Sequence, residues 1–227
     1  MDNRYLLIGT SHVSKESQKK IKEAFNEFKP DIIAIELDRQ RFNAMMSNQK
    51  SSLGFSALRQ IGLTGYIFAV IGRLIQKKIG DVVGMNPGAE MLLGAKLAKN
   101  NQLPLALIDQ DVSVTLKGLS KGVSFREKMR IVGDVIFAPF SKKNKVKIDL
   151  AKIPPSELIE TLMEQMKERY SGFYKVLVDD RNRVMAKKIF KMLIEKSDKK
   201  ILVIIGAGHE EGIKTYMKSL QASNVYK

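Results

Sequence analysis

The stretch Ile201–Ile213, "ILVIIGAGHEEGI", decides the fold. Its first five residues are Ile, Leu and Val with no polar interruption, and a glycine follows. A run this short and this apolar predicts a strand covered on both faces, as in a parallel sheet sandwiched by helices. Three further segments read the same way: Tyr5–Ile8, Ile32–Leu37 and Pro104–Ile108.

Helical patterns fill the intervals. Ser14–Phe28 places apolar or small residues at 17, 21, 24, 25 and 28 and stops before Pro30. Ala89–Lys99 is entered through "NPG", Ser156–Tyr170 begins with a capping Ser after "IPP", and Asp179–Glu195 is a long amphipathic stretch. A final helix follows the fourth strand. Alternation of this kind predicts an α/β fold with a mostly parallel central sheet covered by helices. Two helical insertions, about 42–88 and 112–199, are expected over the carboxyl edge of the strands. No Gly-, Ser- or Pro-rich linker divides residues 1–227, so a single domain is expected.

Ligands in such folds bind where the carboxyl ends of the strands open into a crevice. The string Gly-x-x-His occurs at two of those ends, "GTSH" at 9–12 and "GAGH" at 206–209. They contain His12 and His209, the 2 histidines of the chain. Glycine at a strand exit permits a sharp turn or a close backbone approach, and imidazole is the commonest neutral metal ligand. Acids stand at the other exits: Glu36 and Asp38 in "AIELDRQR", Asp109 and Asp111 in "LALIDQD". A carboxylate at the end of a buried strand requires a cation, a hydrogen-bond donor or a metal; Arg39, Arg41 and Arg181 are the arginines that offer purely structural pairing. Glu90, in the first turn of the Ala89–Lys99 helix, complements the helix dipole or faces the crevice.

Other chemistries are excluded by their signatures. No P-loop, dinucleotide fingerprint or His-Glu-x-x-His helix is present. Ser11 and Ser14 lie near His12, but no nucleophile elbow surrounds them. With 0 Cys, disulfides and thiolate metal sites are ruled out. Two imidazoles and two or more carboxylates suit a divalent ion such as Mn²⁺, Zn²⁺, Co²⁺ or Fe²⁺.

The formal charge of +15, from 39 Lys and Arg against 24 Asp and Glu, favours anionic surfaces. Lysine clusters at 141–147 and 196–200 supply much of it. No aromatic RNA-binding signature or zinc finger accompanies them, so nucleic acid is not the expected partner. The apolar stretch 61–75 is short and carries Arg73, which predicts a buried helix rather than a membrane span. No secretory signal opens the chain.

The strings "GTSHVSKES", "PDIIAIELDRQR", "PGAEMLLGAKLA", "LALIDQDVSVTLKGL", "DDRNRVMAKKI" and "VIIGAGHEEGI" together resemble the TraB/PrgY family, in order and from Ile8 to Ile213. That family is related to the Tiki metallopeptidases and, more distantly, to the erythromycin esterase/ChaN-like proteins. The resemblance implies a metal-centred site of His12, Glu36, Glu90 and His209, with Arg41 and Arg181 as supporting cations. Glu36, Glu90, Arg41 and Arg181 are then the candidate catalytic residues. It implies a hydrolase, specifically a peptidase acting on peptide signals or membrane-associated polypeptides, with Mn, Co or Zn as cofactor. The rival expectation is a non-catalytic regulator that sequesters a peptide at a membrane. Expected partners are a peptide or polypeptide substrate, an anionic membrane surface and a second copy of the chain. Gln110 departs from the family's usual Arg between Asp109 and Asp111. Family members often continue into hydrophobic membrane segments, so the chain is expected to be the soluble portion of a membrane-anchored protein, cytoplasmic or membrane-associated.

Overall fold

In the computed structural model, residues 3–10, 15–47, 88–137 and 155–225 are described. Their core is a four-stranded, all-parallel sheet: β1 (Tyr5–Thr10), β2 (Ile32–Ile35), β3 (Leu105–Leu107) and β4 (Ile201–Gly206), in the spatial order β1-β4-β2-β3. The last strand in sequence is therefore inserted between the first and second. β2 and β4 are wholly buried, as their unbroken apolar sequences require, whereas β1 and β3 are edges and only partly buried.

Helices cover both faces. On one, α1 (Lys15–Phe28) and α3 (Ala89–Asn100) pack Ile21, Met91, Ala95 and Ala98 against Ile8, Ile33, Ile35, Leu202 and Ile204. On the other, α8 (Asp180–Glu195) and α9 (Ala207–Val225) pack Met185, Ile189, Leu193, Ile213 and Met217 against Ile32, Ala34, Val203 and Ile205. The odd–even division of the strand residues between these clusters is the period-two signature of a sheet buried on both sides.

Between β2 and α3 lies α2 (Arg39–Met46). After β3 come α4 (Val112–Gly122), α5 (Phe125–Phe137), α6 (Pro155–Arg169), the short α7 (Ser171–Tyr174) and one π turn (Lys175–Asp179) that runs directly into α8. The 112–199 insertion is thus helical where described. The 42–88 insertion beyond Ser47, the apolar stretch 61–75, the lysines at 141–147 and His12 lie outside the described residues. No helix among the described residues is long and apolar enough to cross a membrane.

The second strand ends two residues earlier than its apolar pattern suggests. Glu36 N–H still reaches Ile204 O, but Leu37 N–H folds back onto Ile35 O at 2.8 Å, and Asp38 then caps α2. An ionised side chain at 36 and an N-cap at 38 turn the chain out of the sheet before the hydrophobic run is exhausted.

A parallel sheet collects chemistry at one end. β1 and β4 pair in register from Tyr5↔Ile201 to Thr10↔Gly206, so Gly9 and Gly206 stand one rung apart. α2 and α9 begin directly after β2 and β4, and α4 follows β3 through Asp111. α3 and α8 lead back into strands from the opposite direction, which puts their first turns at the same edge. Residues as far apart in sequence as Thr10 and Ile205 meet there, the Thr10 hydroxyl donating to Ile205 O at 3.1 Å.

Candidate functional site

Glu36 organises this edge. Its side chain is 7% exposed, and both oxygens are engaged. Oε2 accepts from Gly206 N–H at 2.6 Å, at the end of the neighbouring strand. Oε1 is paired with Arg181 Nη2 and lies 3.2 Å from His209 Nε2. Burial pushes the Glu36 pKa up, but His209, Arg181 and the Gly206 N–H together hold it well below the usual carboxylate range. Glu36 is therefore a permanent anion at neutral pH.

Arg181 bridges Glu36 to Asp109, donating from Nε to Oδ1 at 3.1 Å and from Nη2 to Oδ2 at 2.6 Å. Asp109 is also paired with Arg41 and accepts from Gln110 N–H at 2.7 Å. Arg41 in turn pairs with Asp38, whose Oδ1 caps α2 through Gln40 N–H and Arg41 N–H at 2.8 and 3.0 Å. The Asp109 pKa is raised by burial and lowered by more through Arg181 and Arg41. The Arg41 and Arg181 pKa values move the other way, up: burial opposes the charge, but the facing carboxylates override it. Three carboxylates against two guanidiniums leave one negative charge, and it is Glu36 that faces His209.

His209 occupies the third position of α9, not a loop, because the helix starts immediately after Gly206. Its Nδ1 meets Asn182 Oδ1 at 2.7 Å. An amide oxygen only accepts, so Nδ1 is the donor in this contact, and Nε2 faces Glu36 Oε1. Gly212, one helical turn on, makes this possible: a Cβ there would land on Asn182 Nδ2 and 2.9 Å from its Cγ. Gly9 has a matching role on β1, where a Cβ would stand 3.1 Å from Ala207 Cα and collide with the Glu210 carboxylate. Gly9 thus lets β1 and α9 meet at backbone distance, and Gly212 leaves room for the Asn182 side chain beside α9.

Glu90 is different. It lies in the first turn of α3, one turn before Gly94, whose Cα approaches Ile204 and Ile35. It is 0% exposed, and among the described residues neither carboxylate oxygen has a hydrogen-bond partner. Lone carboxylates are not stable in such a place without a proton or a cation.

The structure therefore brings Glu36, Arg181 and His209 into direct contact and ties Arg41 to them through Asp109. Glu90 is buried in the first turn of a helix on the opposite face of the sheet. The second imidazole, His12, is outside the described residues. Among the described residues no three His, Asp and Glu side chains converge on a common metal position. The donor chemistry nevertheless fits an ion: Nε2 and Oε1 at 3.2 Å have the separation of adjacent ligands whose bonds to one metal are about 2.0–2.2 Å long. Glu90 offers two carboxylate oxygens that have no hydrogen-bond partner among the described residues.

Sequence reasoning passed over Asn182 and Lys188. Asn182 fixes the imidazole, and Lys188 Nζ donates to Asp109 O at 2.6 Å, holding the end of β3. The signal for Asn182 was its position beside Arg181 at the start of a helix pointed at the sheet edge. Gln110, where the family usually has Arg, is turned away and donates to Thr115 Oγ1 at 2.8 Å, inside α4. Asp111 is the α4 N-cap, accepting from Ser113 N–H at 2.7 Å, which accounts for it structurally.

An α/β protein with a buried carboxylate–guanidinium–imidazole cluster at the carboxyl edge of its parallel sheet is the class these features define. The chain belongs to the TraB/PrgY/gumN family, whose model matches residues 2–226. It is similar to an uncharacterized protein from Methanocaldococcus jannaschii, 34% identical over 223 residues that cover 96% of this chain and 54% of the relative. It is also similar to TraB domain-containing proteins from Homo sapiens and Mus musculus, each 22% identical over 240 residues covering 93% of this chain and 62% of the relative. The chain spans between about half and three fifths of the length of these curated relatives.

Proposed function

We propose that this chain is a metal-dependent hydrolase, specifically a peptidase acting on peptide signals or membrane-associated polypeptides. The observation that carries the reading is Glu90: a fully buried carboxylate with both oxygens unpartnered among the described residues, at the sheet edge where Glu36, Asp38 and Asp109 each have ion-pair partners. His12 and His209 would hold the ion with carboxylate help from Glu36, leaving Glu90 as the carboxylate not committed to it. When bound, Mn²⁺, Co²⁺ or Zn²⁺ supplies Lewis acidity and a lowered pKa for a coordinated water.

The chain's own residues divide the remaining work. Glu36, locked as an anion by Arg181 and Gly206 N–H, orients and balances charge but is a poor proton acceptor. Glu90, which no donor claims, is the carboxylate assigned to take the proton of the attacking water and return it to the leaving amine. Asn182 holds His209 in the tautomer whose Nε2 faces the site. Arg181 fixes Glu36, and Arg41, 38% exposed at the rim, is placed to meet a substrate carbonyl or carboxylate.

One observation favours the rival, a binding module that sequesters peptide without cleaving it: Glu36, central to the cluster, already has all of its oxygens engaged by protein groups. The deciding experiment measures uptake of Mn, Co and Zn by the purified chain and cleavage of a peptide library, with and without chelator. The proposal expects near-stoichiometric metal, chelator-sensitive cleavage, and loss of both in a His12→Ala, His209→Ala double variant. Metal uptake unaffected by that double variant removes the proposed site. Retained metal with no turnover selects the binding module.

A further inference from the structure

The helical insertion after β3 carries a surface that the sheet-edge site does not use. α4 and α5 turn their inner faces onto one small core, Leu119, Val123, Ile131 and Val176. Glu127, buried, secures α5 by accepting from Gly172 N–H and Phe173 N–H at 3.3 and 2.8 Å. Ser124 caps the helix through Glu127 N–H. Positions 123, 127 and 131 thus fix which side of α5 faces inward.

The opposite side is where Phe125 and Met129 stand, four residues apart and 75% and 54% exposed. A soluble surface offers nothing to an aromatic ring held that far into water by an otherwise well-anchored helix. On one flank of this ridge sit the exposed Arg126 and Arg130, the latter also donating to Arg169 O, and on the other the half-buried Lys128, whose Nζ donates to Ser120 O at 2.5 Å. The neighbouring α4 adds Val114, 53% exposed, together with the exposed Lys117 and Lys121, on the side opposite its buried Leu119. The acids of this segment do not oppose them: Glu127 is buried against α7, and Asp134 is engaged by Arg169 and Tyr170.

We propose that the outer face of α4–α5 is a docking surface for an anionic lipid bilayer. A protruding apolar ridge with basic residues along its sides matches an interface in which rings enter the headgroup–acyl boundary and cations remain among the phosphates. A nucleic acid would reward the cations but not Met129 or Val114, whereas a bilayer rewards both. The inference is independent of the chemistry assigned to the sheet edge.

The test is sedimentation of the full chain with phosphatidylcholine vesicles containing roughly 30% phosphatidylglycerol, against pure phosphatidylcholine, at low and physiological salt. Expected is binding to the anionic vesicles only. Phe125→Ser with Met129→Ser should weaken it on the order of tenfold at either salt, through the lost apolar insertion. Lys117→Gln with Lys121→Gln and Arg126→Gln should weaken it mainly at low salt. All five positions are at the surface, and circular dichroism checks that the variants fold. The proposal is overturned by equal binding to both vesicle types, by no binding, or by an apolar double variant that sediments like the parent. That last outcome would place the attraction on lysines elsewhere. Duplex DNA that displaces the chain from vesicles with no effect of the apolar variant would assign the basic face to nucleic acid instead.

Discussion

Replacing Arg181 by Met tests the electrostatic core of the site. The guanidinium is 14% exposed and serves two buried acids, Glu36 and Asp109, at once. Deleting one member of a buried pair costs about 3–5 kcal/mol, because the remaining charge is left without its counterion. Here Glu36 keeps Gly206 N–H and His209, and Asp109 keeps Arg41 and Gln110 N–H. The lower end of that range, about 3 kcal/mol, is therefore expected. In a chain of this size it corresponds to a fall in Tm of about 6–12 °C.

The sign of the pH dependence follows from the directions of the shifts. Glu36 and Asp109 have folded-state pKa values depressed below their ordinary ones. Their stabilisation is fully present above the ordinary carboxylate range near pH 4 and is lost as pH falls below it toward the folded values. Arg181→Met removes most of that contribution. The gap between parent and variant should be widest at pH 7 and should narrow by pH 3. Urea denaturation followed by circular dichroism at several pH values, with chelator present, measures it. A gap under about 1 kcal/mol at pH 7, or one that is constant with pH, would refute the reasoning. Arg181→Lys should recover only part, since an ammonium cannot fork across two carboxylates.

Two smaller perturbations address the imidazole. Asn182→Ala should cost about 1–2 kcal/mol and release His209 from its single tautomer, visible in ring ¹⁵N shifts that are simple to assign with 2 histidines in the chain; an unchanged spectrum would deny Asn182 its positioning role. Gly212→Ala should destabilise by about 1–3 kcal/mol despite the higher helix propensity of Ala, because its methyl displaces the Asn182 amide. Combining it with Asn182→Ala should then cost less than the sum of the two, and strict additivity would show that the methyl is accommodated elsewhere.

The strands and the order of helices were legible because burial in a covered parallel sheet demands short unbroken apolar runs, set between amphipathic stretches. "ILVII" could hardly be anything else. The early end of β2 was not legible, since Leu37 is apolar and only its backbone hydrogen bond to Ile35 shows the chain leaving the sheet. Of the site, Glu36, Arg181 and His209 were readable as candidates from their residue types at strand exits and in family strings. Asn182 was not, since an amide becomes informative only when something specific stands opposite it. Nor was the contrast between Glu36 and Glu90, two glutamates of like burial. One is surrounded by donors and the other by none, which depends on neighbours contributed by distant segments.

By itself the sequence determined that the protein is a parallel α/β sheet and that its acids, arginines and histidines accumulate at strand exits. Those follow from local patterns of hydrophobicity and from the direction of strands and helices. Tertiary structure alone decided which charges meet. The insertion of β4 between β1 and β2 sets Gly206 N–H against Glu36, and the return of α8 lays Arg181 and Asn182 over the same edge. Coulombic and hydrogen-bond energies depend on separations of a few ångströms, and such separations between residues far apart in the chain are fixed only by the packing of the whole.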